Sequence, residues 1–445
     1  MTFAQALAAA TAAVAVTLSA LAVPTRTAHA QANTQFLPSL PYRTGPYAPN
    51  GVPFANGRVD YFALINERDG GINGVRIAHE ECETGYDTAR GVECYERLKG
   101  GGSTGAPSFT PLSTGITFAL TEKAPVDKIP LLTMGYGRAD SADGRVFAWN
   151  FPMLGTYWSA ADILIQHLAA KNGGPDKLKD KKITLVFHDS PYGREPIPVL
   201  EAHAKTYGFQ FTGIPVTAPG IEQKAAWLQI RQGRPDYVLL WGWGVMNSTA
   251  IKEAVAVGYP REQMYGVWWS GAEPDVTPAG ADAKGYNALA LNPGGATFPV
   301  HKAVQDNLYA KGKGANRDDV GSVLYNRGMI DGMLTVEAIR TAMGRYGNKP
   351  MTGEQVRWGF ENLNLTDARI KDIGFEGLVS PIKMSCNDHE GARRARIHQW
   401  DGAKWVFTTD WIEARAAVLR PMIEDSAKKY ATEKNLPLRD CSKEG

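Results

Sequence analysis

Between residues 182 and 269 the chain alternates short apolar runs with amphipathic stretches, and this alternation narrows the possible folds most. Lys182–His188 reads KITLVFH, residues 236–241 read DYVLLW, and residues 264–269 read MYGVWW. Runs this apolar suit strands covered on both faces, as in a parallel sheet. Residues 210–216 supply a further strand, and 195–207, 224–232 and 248–257 are helical between them. Strands alternating with helices at this pitch predict doubly wound parallel sheets, an α/β fold. Upstream, 75–81, 129–134 and 146–151 read as strands and 157–170 as a helix; downstream, 300–310, 322–344, 352–362 and 411–435 read as helices. With 445 residues the chain exceeds an ordinary single domain, so two lobes are expected.

Residues 7–23 are almost wholly apolar and small, and Ala28-His29-Ala30 precedes Gln31 as an A-x-A cleavage pattern. Residues 1–30 therefore read as a secretory signal peptide. The alternative is an uncleaved membrane anchor, which the length of the run and its Ala, Thr and Ser content disfavour. Four cysteines, Cys82, Cys94, Cys386 and Cys441, fit an oxidising compartment and two disulfides, with three pairings open. Structural zinc would need a CxxC or HxxxH partner, and the sequence has neither. The 48 basic and 46 acidic residues leave a net charge of +2, without the basic excess of a nucleic-acid binder.

Residues 45–77 carry the most specific pattern. The loop Gly45-Pro46-Tyr47-Ala48-Pro49-Asn50-Gly51 is expected to interrupt regular structure. Phe54, Val59, Tyr61, Phe62, Leu64 and Ile65 then give a helical apolar stripe, and Asp69-Gly70-Gly71-Ile72-Asn73-Gly74 turns the chain into a strand. The run from Leu64-Ile65-Asn66 through Gly70-Gly71-Ile72-Asn73-Gly74 to Ile77 resembles type I periplasmic solute-binding proteins. The branch is the one that includes leucine/isoleucine/valine-binding proteins. The resemblance implies two α/β lobes joined by a three-strand hinge, closing around a ligand. It places the crossovers near residues 153, 283 and 372. Residues 31–153 with 284–372 would form the first lobe, and 154–283 with 373–445 the second. Related binding proteins carry a disulfide just after the second strand. That implies Cys82–Cys94, leaving Cys386 with Cys441 to tie the tail to the second lobe. The implied location is the periplasm. The implied partners are a small-molecule ligand and the permease and ATPase subunits of an ABC importer, with the protein a monomer, no cofactor and no catalysis.

Enzymatic motifs are fragmentary. Gly101-Gly102-Ser103-Thr104-Gly105 matches G-x-S-x-G by letter, but a nucleophile elbow needs a strand before it and a helix after it. Gly135-Tyr136-Gly137 lacks the third glycine and acidic partner of a dinucleotide site. Binding signals are stronger, because ligands of open α/β sheets sit beyond the carboxyl ends of strands. Ser113 and Thr114 offer hydroxyls at a helix start, although a plain N-cap accounts for Ser113 equally well. The resemblance aligns this loop, and the loop Gly135-Tyr136-Gly137-Arg138, with two that hold the ligand α-carboxylate in branched-chain amino acid binders. Tyr136 brings an apolar face with a polar tip. Arg138 has the fork geometry for a carboxylate or is a solvated surface residue.

Aromatic residues recur at strand ends. Tyr157, Tyr192, Trp241, Trp243, Trp268 and Trp269 are candidates for one cleft wall, with Tyr47 at its rim. Core packing is the competing role of each tryptophan. Strand alternation would point Trp268 and Trp269 to opposite faces, so only one should face the cleft, and Trp268 is taken as that one. Glu273 lies near the position where amino-acid binders place an acid for the ligand ammonium. If it faces the cleft, an amino acid remains in play; if it points away, a carboxylate without an amine is favoured. The sequence thus favours a small aromatic carboxylate, with a hydrophobic or branched-chain amino acid next and an amide or urea third. A ligand-sensing domain is the reading from a different class.

Overall fold

The structure is a computed structural model and describes residues 33–443. The stretch read as a signal peptide lies outside the described residues. Among the described residues no helix is long and apolar enough to cross a membrane.

The chain begins with β1 (Thr34–Ser39), α1 (Ala48–Asp69), β2 (Arg76–Glu81), α2 (Thr88–Leu98), α3 (Thr114–Leu120), α4 (Lys123–Asp127), β3 (Leu131–Leu132) and β4 (Asn150–Phe151). It continues through α5 (Tyr157–Lys171), β5 (Lys182–His188), α6 (Pro191–Arg194), α7 (Ile197–Tyr207), β6 (Gln210–Val216), α8 (Lys224–Gly233), β7 (Tyr237–Trp241) and α9 (Val245–Ala256). Next come β8 (Met264–Gly266), α10 (Glu273–Val276), β9 (Asn287–Ala290), α11 (Pro299–Asn307), α12 (Val323–Tyr346) and α13 (Gly353–Glu361). The last elements are β10 (Asn364–Leu365), α14 (Asp367–Asp372), β11 (Ile382–Lys383), β12 (Arg394–Trp400), β13 (Trp405–Phe407), β14 (Ile412–Glu413) and α15 (Ala416–Glu433).

One eight-stranded sheet dominates, in the order β13-β12-β9-β8-β7-β5-β6, with β14 also paired to β12. Strands β5 to β9 run parallel, and β12 closes antiparallel on β9. Six of the seven β5 residues are buried, as its apolar run requires. The first part of the chain is less regular. Its strands form two separate parallel pairs, β1 with β2 and β3 with β4, braced by α1 lying along α12. Those two helices touch backbone to backbone. A side chain at Gly57 would strike the Tyr325 carbonyl, and one at Gly328 the Phe54 carbonyl.

Three sequence expectations change. Helix α1 starts at Ala48, inside the loop expected to be irregular, because Pro49 falls in the first turn, where no intrahelical N–H bond is lost. Strand β9 falls within residues 284–372, assigned above to the first lobe, yet it lies between β8 and β12 in the large sheet. A fully buried four-residue strand needs partners on both edges to satisfy its backbone. The tail does not stay with that sheet. Strand β11 pairs with β10 next to α13. Helix α15 is anchored at its start by Arg415 on Asp162 of α5, then runs to the turn at residues 139–142, where Ser426 donates to Asp140 at 2.9 Å. Both disulfides are present, Cys82–Cys94 and Cys386–Cys441. The second joins the tail to the segment after β11.

Candidate functional site

Loops leaving the carboxyl ends of the strands converge on one cavity. It is a narrow cavity of about 20 Å³. Tyr42 follows β1, Tyr86 follows β2, and Tyr136 follows β3. Leu112, Ser113 and Thr114 lead into α3. Tyr157 opens α5, and Tyr192 lies in α6. Trp243 and Trp269 follow β7 and β8. Seven of these ten lining residues are aromatic and none carries a charge.

The rings meet mostly edge to face. Trp243 and Trp269 are 5.5 Å apart at 89°, Tyr136 and Trp269 are 5.8 Å apart at 75°, and Tyr42 and Tyr86 are 4.9 Å apart at 79°. Burial pushes the phenols of Tyr42, Tyr86, Tyr136, Tyr157 and Tyr192 up, so they stay neutral hydrogen-bonding groups. Several are already engaged. Tyr192 donates to the Gly242 carbonyl at 2.8 Å. The Tyr136 hydroxyl accepts from Leu112 N–H at 2.7 Å and donates to the Leu132 carbonyl at 3.3 Å. That grip holds Leu112 at φ +49°, and Tyr86 stands at φ +63°. Left-handed backbone costs a non-glycine residue about 1–2 kcal/mol, and such conformations cluster at ligand sites.

The polar edge is formed by Ser113 and Thr114. Ser113 caps α3, its side chain accepting from Ile116 N–H at 3.4 Å, while Thr114 Oγ1 accepts from Gly137 N–H at 3.3 Å. The Tyr86 hydroxyl stands in hydrogen-bond reach of Ser113 and that of Tyr157 in reach of Thr114. Helix α3 has only seven residues, so the hydroxyls rather than a long helix axis define this edge. Trp243 Nε1 is buried beside the Tyr42 hydroxyl.

Of the residues singled out in the sequence, Ser113, Thr114, Tyr136, Tyr157, Tyr192 and Trp243 come together in the wall. Others stand elsewhere. Arg138 pairs with Asp140 at 2.8 Å and lies among the rings of Phe118, Phe147 and Tyr430, so its charge is spent on Asp140, under α15. Glu273 begins α10 and accepts from Val323 N–H at 3.0 Å, capping the start of α12. Trp241 is fully buried, edge-on to Tyr157 at 6.4 Å. Tyr47 packs on Tyr86 and bonds His188 Nε2 at 2.8 Å behind the wall. Gly137 supports Thr114, and Gly135 supports the tryptophans: its carbonyl accepts from both Trp268 and Trp269. Trp269 lines the cavity and Trp268 does not. Tyr42, Tyr86 and Leu112 were not among the sequence candidates. Their position just past strand ends was the available signal, but short or proline-broken strands hid it. Among the described residues no group of three or more His, Cys, Asp or Glu is placed to hold a metal.

Fold and cavity together define a two-sided ligand-binding protein of the α/β type. The chain belongs to the periplasmic binding protein family, whose model matches residues 35–404. A crystal structure described as an ABC transporter permease from the Pseudomonas fluorescens group is 46% identical over 92% of this chain and 99% of its own, with a TM-score of 0.86. A branched-chain amino acid ABC transporter protein from Thermus thermophilus with bound valine matches at 22% identity and TM-score 0.73, covering 87% and 98%. A solute-binding protein from R. palustris in complex with benzoate matches at 16% and 0.64, covering 86% and 98%. No curated protein matches. The protein is a substrate-binding component of an ABC transporter, and such components are not themselves enzymes. Its family binds small molecules, works with transporter permeases and is periplasmic.

Proposed function

We propose that the protein captures a small aromatic carboxylate in this cavity and delivers it, as a monomer, to the permease and ATPase of an importer. The observation that carries this reading is a wall of seven aromatic residues with hydroxyls along one edge and no charged group. A ligand ring between these walls buries roughly 150–250 Å², worth about 4–6 kcal/mol before ordering costs. The carboxylate meets Ser113 and Thr114, with Trp243 Nε1–H as a further donor. Each hydrogen bond to a charged group contributes about 1.5–3 kcal/mol, which offsets the absence of a cation. An amino acid would also bury an ammonium, and no acid lines the cavity to receive it. That cost is why a hydrophobic amino acid ranks second, although a valine complex is known on this fold. The benzoate complex on the same fold shows only that the architecture accommodates such a ligand.

In this reading β1 to β4 with α11 to α14 make one lobe and the large sheet with its helices the other. The lobes rotate about the segments that cross between them after β4, β9 and β11. Calorimetric titration with benzoate, phenylacetate, a coumarate, leucine, valine and urea tests the proposal. Binding of at least one aromatic acid at micromolar or lower Kd, with leucine and valine at least ten times weaker, is expected. Tight leucine or valine binding with no response to any aromatic acid overturns it.

A further inference from the structure

Behind Leu112 lies a second, smaller space of about 10 Å³, enough for one water-sized group, walled in part by Ser39, Ala55, Arg58 and Thr110. Leu112 stands in the wall of both this chamber and the aromatic cavity, so it is the partition between them. The chamber holds a buried guanidinium. Arg58 is 2% exposed. Its Nε donates to Ser39 Oγ at 3.0 Å and its Nη1 to Thr110 Oγ1 at 2.8 Å, while Asp331 pairs with it from α12. Nη2 is buried with no partner among the described residues. An unmet donor on a buried cation is costly, and a natural site keeps one only where something else accepts from it.

The charge of Arg58 is already balanced by Asp331, which bears on what that acceptor is. A second carboxylate would leave the chamber with excess negative charge in a medium of low dielectric. A neutral oxygen does not. We propose that the chamber is the far end of the ligand site and receives a neutral oxygen substituent, a hydroxyl or carbonyl, which accepts from Arg58 Nη2–H. This deepens the aromatic-acid reading and rests on it for the rest of the ligand. The preferred substrates are then oxygen-substituted aromatic acids, and the left-handed Leu112 is the residue the substituent passes.

The test pairs affinity with direct observation. Benzoate, phenylacetate and an arylpropenoate are titrated against their monohydroxylated counterparts by calorimetry. The same is done with Ala55→Leu, which fills the chamber from α1; Ala55 lines no part of the aromatic cavity. One hydroxylated isomer is expected to bind about 10- to 100-fold tighter than its parent in the wild type, the range for a hydrogen bond to a charged donor. In Ala55→Leu that preference disappears and the affinity of the parent acid is kept. Equal affinities throughout the wild-type series, or a preference that survives in Ala55→Leu, overturns the proposal. Crystals of the wild-type protein soaked in phenol read the chamber independently of the acid and of the variant's folding. A phenol oxygen within about 3.2 Å of Nη2 supports the proposal. A water fixed at that nitrogen in every soak overturns it. If no aromatic acid binds, the aromatic-acid reading falls, and the soaked crystals still decide the chamber.

Discussion

Trp268 and Trp269 donate their indole N–H groups to one acceptor, the Gly135 carbonyl, at 2.7 and 2.8 Å. Consecutive residues of a strand would have pointed apart. Here the chain leaves β8 into a single 3₁₀ turn over Trp268–Ser270, where successive side chains are only about 120° apart. A carbonyl has two lone pairs, so one oxygen serves both rings. The contact ties the loop after β3 to the end of β8. Gly135 itself stands at φ +71°, and a Cβ there would lie 2.7 Å from Leu291 Cδ1 and 2.9 Å from Trp268 Nε1. Gly135→Ala is therefore expected to lower stability by about 1–3 kcal/mol and to weaken ligand binding together with it. Urea unfolding and calorimetry read both; a variant with wild-type values in each would show that the shared carbonyl is unimportant.

Glu273 separates two kinds of ligand site. Its carboxylate caps α12 at Val323 N–H and lines no part of the cavity. Burial raises its pKa. Glu273→Gln is expected to cost about 0.5–2 kcal/mol of stability, the usual range for a cap, and to leave ligand Kd unchanged. A tenfold loss of affinity for an amine-bearing ligand would instead place the carboxylate in contact with that ligand.

The large sheet was legible in the sequence because its strands are covered on both faces and so are apolar throughout. Strand β5 is the clearest example, with residues 183–188 all buried. The first part of the chain was harder to read. Strands β3 and β4 are two residues each, too short for any periodicity to show. In the site, the hydroxyls and the strand-end aromatics could be listed from position alone. Their orientation could not, because it depends on the 3₁₀ turn at Trp268 and the left-handed Leu112, which the letters do not announce. Arg138 was misplaced for a related reason. It pairs with Asp140 only two residues on, and the Tyr430 ring that covers it is set by where α15 docks, nearly 300 residues away in sequence.

The two disulfides close loops of different length. In the chain-entropy model the 12-residue separation of Cys82 and Cys94 contributes about 3 kcal/mol, and the 55-residue separation of Cys386 and Cys441 about 4 kcal/mol. The second also holds down the segment after α15, where Arg439 pairs with Glu361 at 2.8 Å. Replacing Cys386 and Cys441 with serine is expected to lower the unfolding free energy more than the same change at Cys82 and Cys94. It should also raise amide exchange beyond residue 433. The reverse order in urea unfolding would show that strain or residual structure, not loop length, governs the effect.

Glu195 sets an expected pH dependence. Its carboxylate accepts from Ala139 N–H at 3.0 Å, and burial, with the negative charge of Asp140 nearby, pushes its pKa up to about 8, with Arg138 opposing. The unfolded chain gives up this proton near pH 4.5. Between those values the folded protein holds a proton that the unfolded chain has released. Its contribution is complete below about pH 4.5 and is lost as pH rises through about 8. Asp275, raised to about 6, and Glu390, raised to about 7, act in the same direction over lower ranges. Glu81 and Glu361, held down at about 2 by their hydrogen-bond and charge partners, lose their stabilisation only in acid, as pH falls below about 4.5. Buried His167, His188, His301 and His398, all lowered by desolvation, act the other way until pH passes about 6.5, so Tm is expected to decline clearly only from about pH 7 to 8. Near pH 8 Asp275 and Glu390 have largely titrated, and Glu195 contributes to the slope that remains. Glu195→Gln keeps an acceptor for Ala139 and removes the proton, so it should flatten the profile between pH 7 and 8 while leaving the lower part in place. Thermal unfolding of both proteins across this range decides the matter: an unchanged slope in the variant would mean that Glu195 is already ionised in the native protein.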